Sequence, residues 1–254
     1  MRVAVHQPQF MPWLGYLDKI DQADLFVVLD SVQFKKNEWQ NRNRIRTAQG
    51  WQWITVPVLH KFGQRLDEVR INQQRDWQGR HLRALEMHYG RAPYRDQYLE
   101  ALREIYRRSW DRLTDVNLAV IRWLLDAFGI NTPSRLASAM HLRNEPTDRL
   151  IDICRAVGAT QYIAGAGAAL YMDRIRFEAS GVQLEEQQFR HPIYPQCYDP
   201  FVPGMAAIDL LLTCGADAIS RLRAMRPALI DGSGAEAGPR GREVKRRGGE
   251  HARR

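Results

Sequence analysis

The first fifty residues place side chains capable of proton transfer and anion binding at short intervals. An apolar strand over Val3–Val5 runs directly into His6, and a second apolar strand over Leu25–Leu29 runs into Asp30. An imidazole can act as an acid or a base near neutral pH, and a carboxylate can orient an amine, a ribose hydroxyl or Mg²⁺. Ligands of open α/β sheets bind beyond the carboxyl ends of the strands, which is where both residues are expected.

The loop after the first strand is rigid and polar. It carries the amides of Gln7 and Gln9 around Pro8, and Pro12 suits the first position of a helix. Unpaired N–H groups at a helix start favour an anion, so His6 is interpreted as a residue that stabilises phosphate charge or transfers a proton. The alternative is a structural histidine that ties the loop to its neighbour.

Asp30 and Gln33 both lie in the segment that follows the second predicted strand. Asp30 is interpreted as the group that orients a ribose or an attacking amine, with a turn-capping carboxylate as the alternative. Gln33 can donate a hydrogen bond to a substrate carbonyl, with a solvent-facing amide as the alternative. On the functional interpretation, His6, Asp30 and Gln33 form the catalytic group.

A dense run of cations and amides follows, with few acids to pair with it. If the segment is extended, Arg42, Arg44 and Arg46 project to one side, and guanidinium forks suit phosphate or carboxylate. The alternative is a solvated surface. The residues proposed to bind the substrate or its phosphates, together with Gln7 and Gln9, are Lys35, Asn41, Arg42, Asn43 and Arg44.

A further candidate phosphate contact lies later in the chain. A strand predicted over Gln161–Ala164 leads into Gly165 and Gly167 and then into a helix. Glycines at a strand-to-helix junction let backbone N–H groups approach a phosphate, although glycine is also an ordinary tight-turn residue. No zinc-ligand spacing, Walker A motif or nucleophile elbow accompanies them, so no metal site is predicted.

The order of the predicted elements indicates an α/β fold. Strand, short helix and strand at the start form a βαβ unit, which requires parallel strands. A further strand is predicted over Trp51–Val58, helices dominate residues 76–157, and a strand over Val182–Phe189 and a helix over Ala206–Cys214 follow. We therefore expect one doubly wound parallel sheet with a helical insertion, forming a single domain over residues 1–225.

Composition limits the class of protein. The chain has 254 residues, 44% of them hydrophobic, and a net charge of +8; its mean hydropathy is −0.47, and no apolar run is long enough to span a bilayer. Residues 226–254 carry half of the net charge and almost no bulky apolar side chains, so this basic tail is expected to be disordered. A strand that starts at Val3, and three cysteines without metal-ligand spacing, predict a cytoplasmic protein with free thiols.

The N-terminal block also carries a specific resemblance. Matching residues are His6–Phe10, Pro12–Tyr16, Lys19, Asp24–Val27, Leu29, Asp30, Val32–Phe34 and Trp39–Ile45, followed by Tyr162–Gly165, Tyr171, Tyr194, Gln196, Phe201, Pro203, Ile208–Leu211 and Cys214-Gly215. These segments resemble the WbqC-like protein family over nearly everything before the tail. Ala164 and Ala206 stand where the family pattern has serine, which argues against a serine nucleophile or phosphate-binding hydroxyl at either position.

The resemblance implies a role in bacterial surface-polysaccharide or natural-product biosynthesis, namely transfer of an acyl or aminoacyl group, such as glycine, to an amino sugar. The N-terminal segment is also distantly similar to the nucleotidyltransferase and pantothenate-synthetase superfamily. The second His of that superfamily's usual pair is replaced here by the Trp13–Tyr16 region. That similarity implies ATP with Mg²⁺ as a cofactor, and the WbqC-like resemblance implies a nucleotide-linked or related amino sugar as the substrate. Two alternatives stay open: a transferase that uses aminoacyl-tRNA, and a non-catalytic protein that binds a sugar nucleotide.

Overall fold

The fold combines short strands and helices over residues 1–165, 167 and 172–227, which are the residues that the computed structural model describes. The strands are β1 (Arg2–His6), β2 (Leu25–Val28), β3 (Arg42–Thr47), β4 (Gly50–Thr55), β5 (Val58–Leu59), β6 (Arg70–Ile71), β7 (Ser134–Leu136), β8 (Gln161–Ala164) and β9 (Gln183–Glu186). The helices are α1 (Leu14–Asp21), α2 (Trp77–His88), α3 (Arg95–Arg107), α4 (Leu113–Phe128), α5 (Pro146–Val157), α6 (Arg174–Ala179), α7 (Ile208–Cys214) and α8 (Ala218–Arg223). Across these ranges, no helix is both long enough and apolar enough to cross a membrane.

Five strands form one parallel sheet in the order β7-β2-β1-β8-β9. The chain runs outward from β1 through β2 to β7, then returns to the other side of β1 to add β8 and β9. The strand order therefore reverses between β1 and β8, which is the topological switch point of a doubly wound sheet. The pairs His6↔Val28 and Ala4↔Ile163 set the register on the two sides of β1. The predicted α/β class is confirmed.

Helices cover both faces of this sheet. Ala4 and Phe26 face a large core that also contains residues of α1, α2, α3, α4 and α7, whereas Val3, Val5 and Val27 face a smaller core shared with α5 and α6. Burial on both faces explains why β1 and β2 are almost uninterrupted runs of apolar residues. The polar residues that follow these strands are consequently gathered at the carboxyl edge of the sheet.

Several element boundaries differ from the predictions. Helix α1 begins at Leu14, two residues later than predicted, because the backbone at Trp13 is extended and bridges to Ala206. The strand predicted over Trp51–Val58 is divided into β4 and β5, and β4 pairs with β3 in a separate antiparallel sheet. Strand β7 interrupts the helical segment predicted over residues 76–157; its three residues are all exposed, so no apolar pattern marks it.

Two predictions fall on parts of the chain that the structure does not describe. The basic tail predicted over residues 226–254 lies outside the described residues from position 228 onward. The helix predicted after Gly167 would begin within residues 168–171, which also lie outside them.

The hairpin of β3 and β4 is fastened by the guanidinium of Arg46, whose residue is 1% exposed. Its nitrogens donate to Gln196 Oε1 (3.1 Å) and to the carbonyl oxygens of Thr47, Gly50 (2.7 Å), Tyr198 (2.9 Å) and Pro200 (2.7 Å). Charged donors form the stronger class of hydrogen bonds, and burial excludes water as a substitute donor. Arg46 therefore joins the hairpin to residues 196–200.

Replacing Arg46 by Met should lower the free energy of unfolding by about 3 kcal/mol, because several buried carbonyl groups would lose their donor. The matched control is Arg42→Met on the same strand. The Arg42 guanidinium lies 4.1 Å from the ring centre of Trp53, with no buried carbonyl depending on it, so we expect a loss below about 1 kcal/mol. Urea denaturation followed by circular dichroism measures both changes. Equal losses in the two variants would contradict the role assigned to Arg46.

Candidate functional site

A cleft opens beside the topological switch point, at the carboxyl end of β1. It consists of two adjoining cavities of about 540 and 520 Å³, and both are lined by His6 and Trp13. Such volumes are typical of small-molecule sites. We call the two cavities together the His6 cleft. It gathers residues that were proposed from separate segments of the sequence: His6, Gln7, Gln9, Lys35, Arg44, Gly165 and Gly167.

His6 presents a neutral imidazole to this cleft. Its Nδ1 lies 3.0 Å from the carbonyl oxygen of Gln7. Because a carbonyl only accepts hydrogen bonds, Nδ1 carries the proton and Nε2 keeps its lone pair. Burial, together with the nearby charge of Lys19, lowers the pKa of His6 to about 4. The imidazole is therefore a base, not a cation, at neutral pH.

Lys19 is a buried amine in the second cavity. The residue is 3% exposed, and Nζ donates to the carbonyl oxygen of Val5 (2.9 Å). Burial lowers the pKa of Lys19 to about 7. Nζ is 3.9 Å from the position that a Cβ atom would take at Gly165, so the amine and the glycine adjoin in the cavity wall. An anion bound here would favour the charged form of the amine.

Three buried polar atoms of cleft residues have no hydrogen-bond partner within the described part of the chain. They are Gln9 Oε1, the hydroxyl of Tyr16 and Arg44 Nε. Burial raises the pKa of Tyr16, so the hydroxyl keeps its proton and can donate. Unpaired buried polar groups are rare in folded proteins because each costs about 1–3 kcal/mol. Here they provide one acceptor and two donors among the residues that line the cleft.

Arginine and tryptophan side chains from the hairpin form another wall. The Cζ atom of Arg44 lies 5.1 Å from the ring centre of Trp51 and 5.5 Å from that of Trp39. Its Nη2 donates to the carbonyl oxygen of Gly204 (3.2 Å). Gly204 has a φ of 74°, and a Cβ atom there would lie 2.8 Å from Arg44 Nη2, so the contact requires glycine. Stacking fixes the guanidinium, and no carboxylate in the described part of the chain lies within ion-pair distance of it.

Asp30 and Gln33 lie apart from the residues that line the cleft. The Asp30 carboxylate is buried and accepts from the backbone N–H (2.9 Å) and hydroxyl (2.6 Å) of Ser138, which follows β7. Gln33 is exposed, and its backbone bridges to Arg65. Asp30 thus caps the turn at Ser138, which is the alternative given in the sequence analysis. It lies one strand away from the switch point.

The amides of β3 and the preceding loop mainly tie the chain together. Asn43 Nδ2 donates to the carbonyl oxygen of Met11 (2.7 Å), and Asn41 Nδ2 donates to that of Val56 (3.1 Å). Gln40 Nε2 donates to Gln7 Oε1, which fixes the first loop. Arg42 stacks on Trp53 and lies outside the lining of the His6 cleft.

Sequence reasoning gave no role to several residues that line the cleft. They are Trp13, Tyr16, Lys19, Glu38, Trp39, Gln187 and Gly204. For Lys19 a local signal existed, because a lysine among the apolar positions of a short helix is unusual. For Trp39 and Gly204 the signal is absent, since only tertiary contacts bring the hairpin and residues 204–207 to β1.

The charge of the cleft fits a phosphorylated ligand such as ATP or a sugar nucleotide. Lys19, Lys35 and Arg44 supply cations to the lining, and Glu38 and Glu186 supply acids. In the described ranges, no group of three or more His, Cys, Asp or Glu side chains is arranged to hold a metal ion. Mg²⁺ that accompanies ATP is held largely by phosphate oxygens, so it needs no such group.

Comparison with known proteins agrees with the resemblance found in the sequence. The sequence model of the WbqC-like protein family matches residues 7–221. The uncharacterized protein Rv1507c of Mycobacterium tuberculosis is 35% identical over 231 residues, which cover 89% of this chain and 99% of the relative. No solved structure matches significantly. The matched region contains the first loop, the hairpin and the segment around Gly204, and on this evidence the chain belongs to the WbqC-like protein family.

Proposed function

We propose that this protein is an enzyme that transfers an acyl or aminoacyl group, such as glycine, to the amine of a phosphorylated or nucleotide-linked amino sugar. The observation that carries the proposal is the neutral imidazole of His6 at the point where the two cavities meet. Amide formation requires a base for the amine proton, and a neutral imidazole with a fixed tautomer supplies one.

The proposed step is a direct acyl transfer. The amine nitrogen attacks the acyl carbonyl carbon, the new C–N bond forms, and the bond from that carbon to the leaving group breaks. His6 Nε2 accepts the proton that the amine loses and passes it to the leaving group. The Tyr16 hydroxyl and Gln9 Oε1, both without a hydrogen-bond partner in the described residues, would orient the acyl and amine groups.

The remaining cleft residues suit the two ends of such a substrate. Trp13 and Trp39 offer aromatic faces to a sugar ring, and Arg44 offers a guanidinium to phosphate. On the other side of His6, Lys19 and the glycines at 165 and 167 suit a second anionic group. If ATP with Mg²⁺ is the cofactor, it activates the carboxyl group of the donor as an acyl phosphate or adenylate, with its phosphates bound by these cations.

Incubation with ATP, Mg²⁺, glycine and an amino-sugar nucleotide should give an amide product and a phosphate or pyrophosphate product, both detected by mass spectrometry. His6→Ala should lower kcat about 100-fold or more, because the base is removed. His141→Ala is the matched control, since His141 is exposed and lies outside the cleft lining.

The outcomes separate the proposed activity from its alternatives. Product formed only with aminoacyl-tRNA, with salt-sensitive tRNA binding, would indicate the tRNA-dependent transferase. Thermal stabilisation by the sugar nucleotide without product from either donor would indicate a non-catalytic binding protein. Equal activity of the two histidine variants would remove His6 from the reaction.

After correction for the unprotonated fraction of the substrate amine, the pH profile of kcat/KM should be bell-shaped, with an acid limb near 4 and an alkaline limb near 7. Below the pKa of about 4, His6 is protonated and cannot accept the amine proton. Above the pKa of about 7, Lys19 loses the charge that binds an anionic group. Initial rates between pH 3.5 and 9, in buffers of constant ionic strength, measure the profile.

Lys19→Arg distinguishes the origin of the alkaline limb, because a guanidinium stays charged throughout this range. The limb near 7 should disappear in this variant while the acid limb stays in place. An unchanged alkaline limb in a folded Lys19→Arg protein would show that another group titrates there.

A further inference from the structure

Another cavity, of about 510 Å³, lies between the β3–β4 hairpin and α2. We call it the α2 cavity. Trp77, Arg80, His81 and Ala84 line it from one face of α2, and Trp53 lines it from β4. None of its lining residues lines the His6 cleft. It is therefore a separate cavity.

The side chains that line this cavity carry positive charge. Lys36, Arg75 and Arg80 line it, and its lining contains no Asp or Glu. Within the described ranges, none of these three cations has a carboxylate within ion-pair distance. The neighbouring carboxylate of Asp76 accepts from the N–H of Gly79 (2.9 Å), pairs with Arg83 (3.1 Å) and also interacts electrostatically with Arg80.

Two lining residues also carry unpaired buried polar atoms. Asn41 Oδ1 and Trp77 Nε1 have no hydrogen-bond partner in the described part of the protein, and both residues are 2% exposed. Both residues line the cavity. Trp53, which is 37% exposed, adds an aromatic ring, one face of which is covered by the Arg42 guanidinium (4.1 Å from the ring centre). The combination of cations, a ring face and unpaired amide and indole groups is that of a ligand site.

His81 is a structural member of this wall. Its Nε2 lies 3.1 Å from the carbonyl oxygen of Thr55, and its Nδ1 lies 3.4 Å from the hydroxyl of Tyr106. Burial lowers the pKa of His81 to about 4, so the ring is neutral at pH 7. Both ring nitrogens are occupied by protein groups, and the positive charge comes from the lysine and arginines.

We propose that the α2 cavity binds a phosphorylated small molecule that carries a ring, such as a nucleoside diphosphate, at a site separate from the His6 cleft. Arg75, Arg80 and Lys36 surround the phosphates, and the ring stacks against Trp53. No Asp or Glu belongs to the lining of this cavity, and its volume accommodates a ligand of this size. The inference does not depend on the reaction proposed for His6.

Indole N–H resonances of ¹⁵N-labelled protein give a test that distinguishes the two sites. Trp77 reports on the α2 cavity and Trp13 on the His6 cleft, whereas the rings of Trp39 and Trp53 are in contact (5.6 Å between centres) and respond to both sites. Single Trp→Phe variants assign the signals. Titration with UDP should shift the Trp53 and Trp77 signals with saturation. Inorganic pyrophosphate should shift Trp77 and move Trp53 less, because it has no ring to stack.

Arg75→Gln combined with Arg80→Gln should raise the Kd for UDP, measured on the Trp77 signal, about tenfold or more, because two charged donors are lost. The matched control combines Arg91→Gln with Arg155→Gln, which removes the same charge from exposed positions outside the cavity. The control should change this Kd less than about twofold, since screened distant charges contribute little.

Three results would overturn the proposal: shifts confined to Trp13 and Trp39, no shift of Trp77 up to millimolar UDP, or equal changes in Kd for the two double variants. Loss of acyl transfer activity in His6→Ala leaves these signals unaffected. Failure of the proposed reaction and failure of this binding site are therefore separate outcomes.

Discussion

The buried hydrogen-bond network around Arg46 is the constraint on which the geometry of the site depends. Arg46 donates to Gln196, and Gln196 in turn donates to the buried carboxylate of Asp209 (2.8 Å), which also accepts from the hydroxyls of Tyr89 (2.7 Å) and Tyr194 (2.8 Å). The network therefore joins β3 to α7 and to the segment after α2. Burial raises the pKa of Asp209, and the surrounding donors offset part of the desolvation cost of its charge. With the hairpin held in this way, Arg44 and Trp39 are placed over the end of β1.

The first loop is held against the hairpin by backbone groups. The N–H of Phe10 donates to the carbonyl oxygen of Trp39 (3.0 Å), and the N–H of Ala206 donates to that of Arg44 (2.9 Å). Asn117 on α4 donates to the carbonyl oxygens of Pro8 (3.2 Å) and Gln40 (2.8 Å). These contacts exclude water from the base of the cleft. The same exclusion lowers the pKa of His6 and Lys19, so the rigid loop and the chemical properties of the site have one physical cause.

Local pattern predicts the sheet better than it predicts the site. Apolar runs locate β1, β2 and β8, and the βαβ rule places His6 and Gly165 at one edge. The position of Asp30 does not follow from such rules, because β2 lies between β1 and β7 and only the strand order shows that its end meets Ser138. The sequence around Arg46 also gives no sign of its structural role. Arg42, Arg44 and Arg46 share a spacing, but acceptors about 150 residues away determine which one is buried.

The alternation of the hairpin explains why Arg42 and Arg44 form no ion pair with a carboxylate among the described residues. Ile45 and Ile54 face the large core, whereas Arg44 is paired across the strands with Trp53 and Arg46 with Trp51. On this second face, indole rings occupy the positions where carboxylates would otherwise balance the guanidinium groups. An aromatic ring orients a guanidinium by cation–π attraction and packing, and it does not neutralise the charge of the guanidinium. The hairpin can therefore hold Arg44 rigidly at the His6 cleft while the charge of Arg44 stays available to a negatively charged ligand.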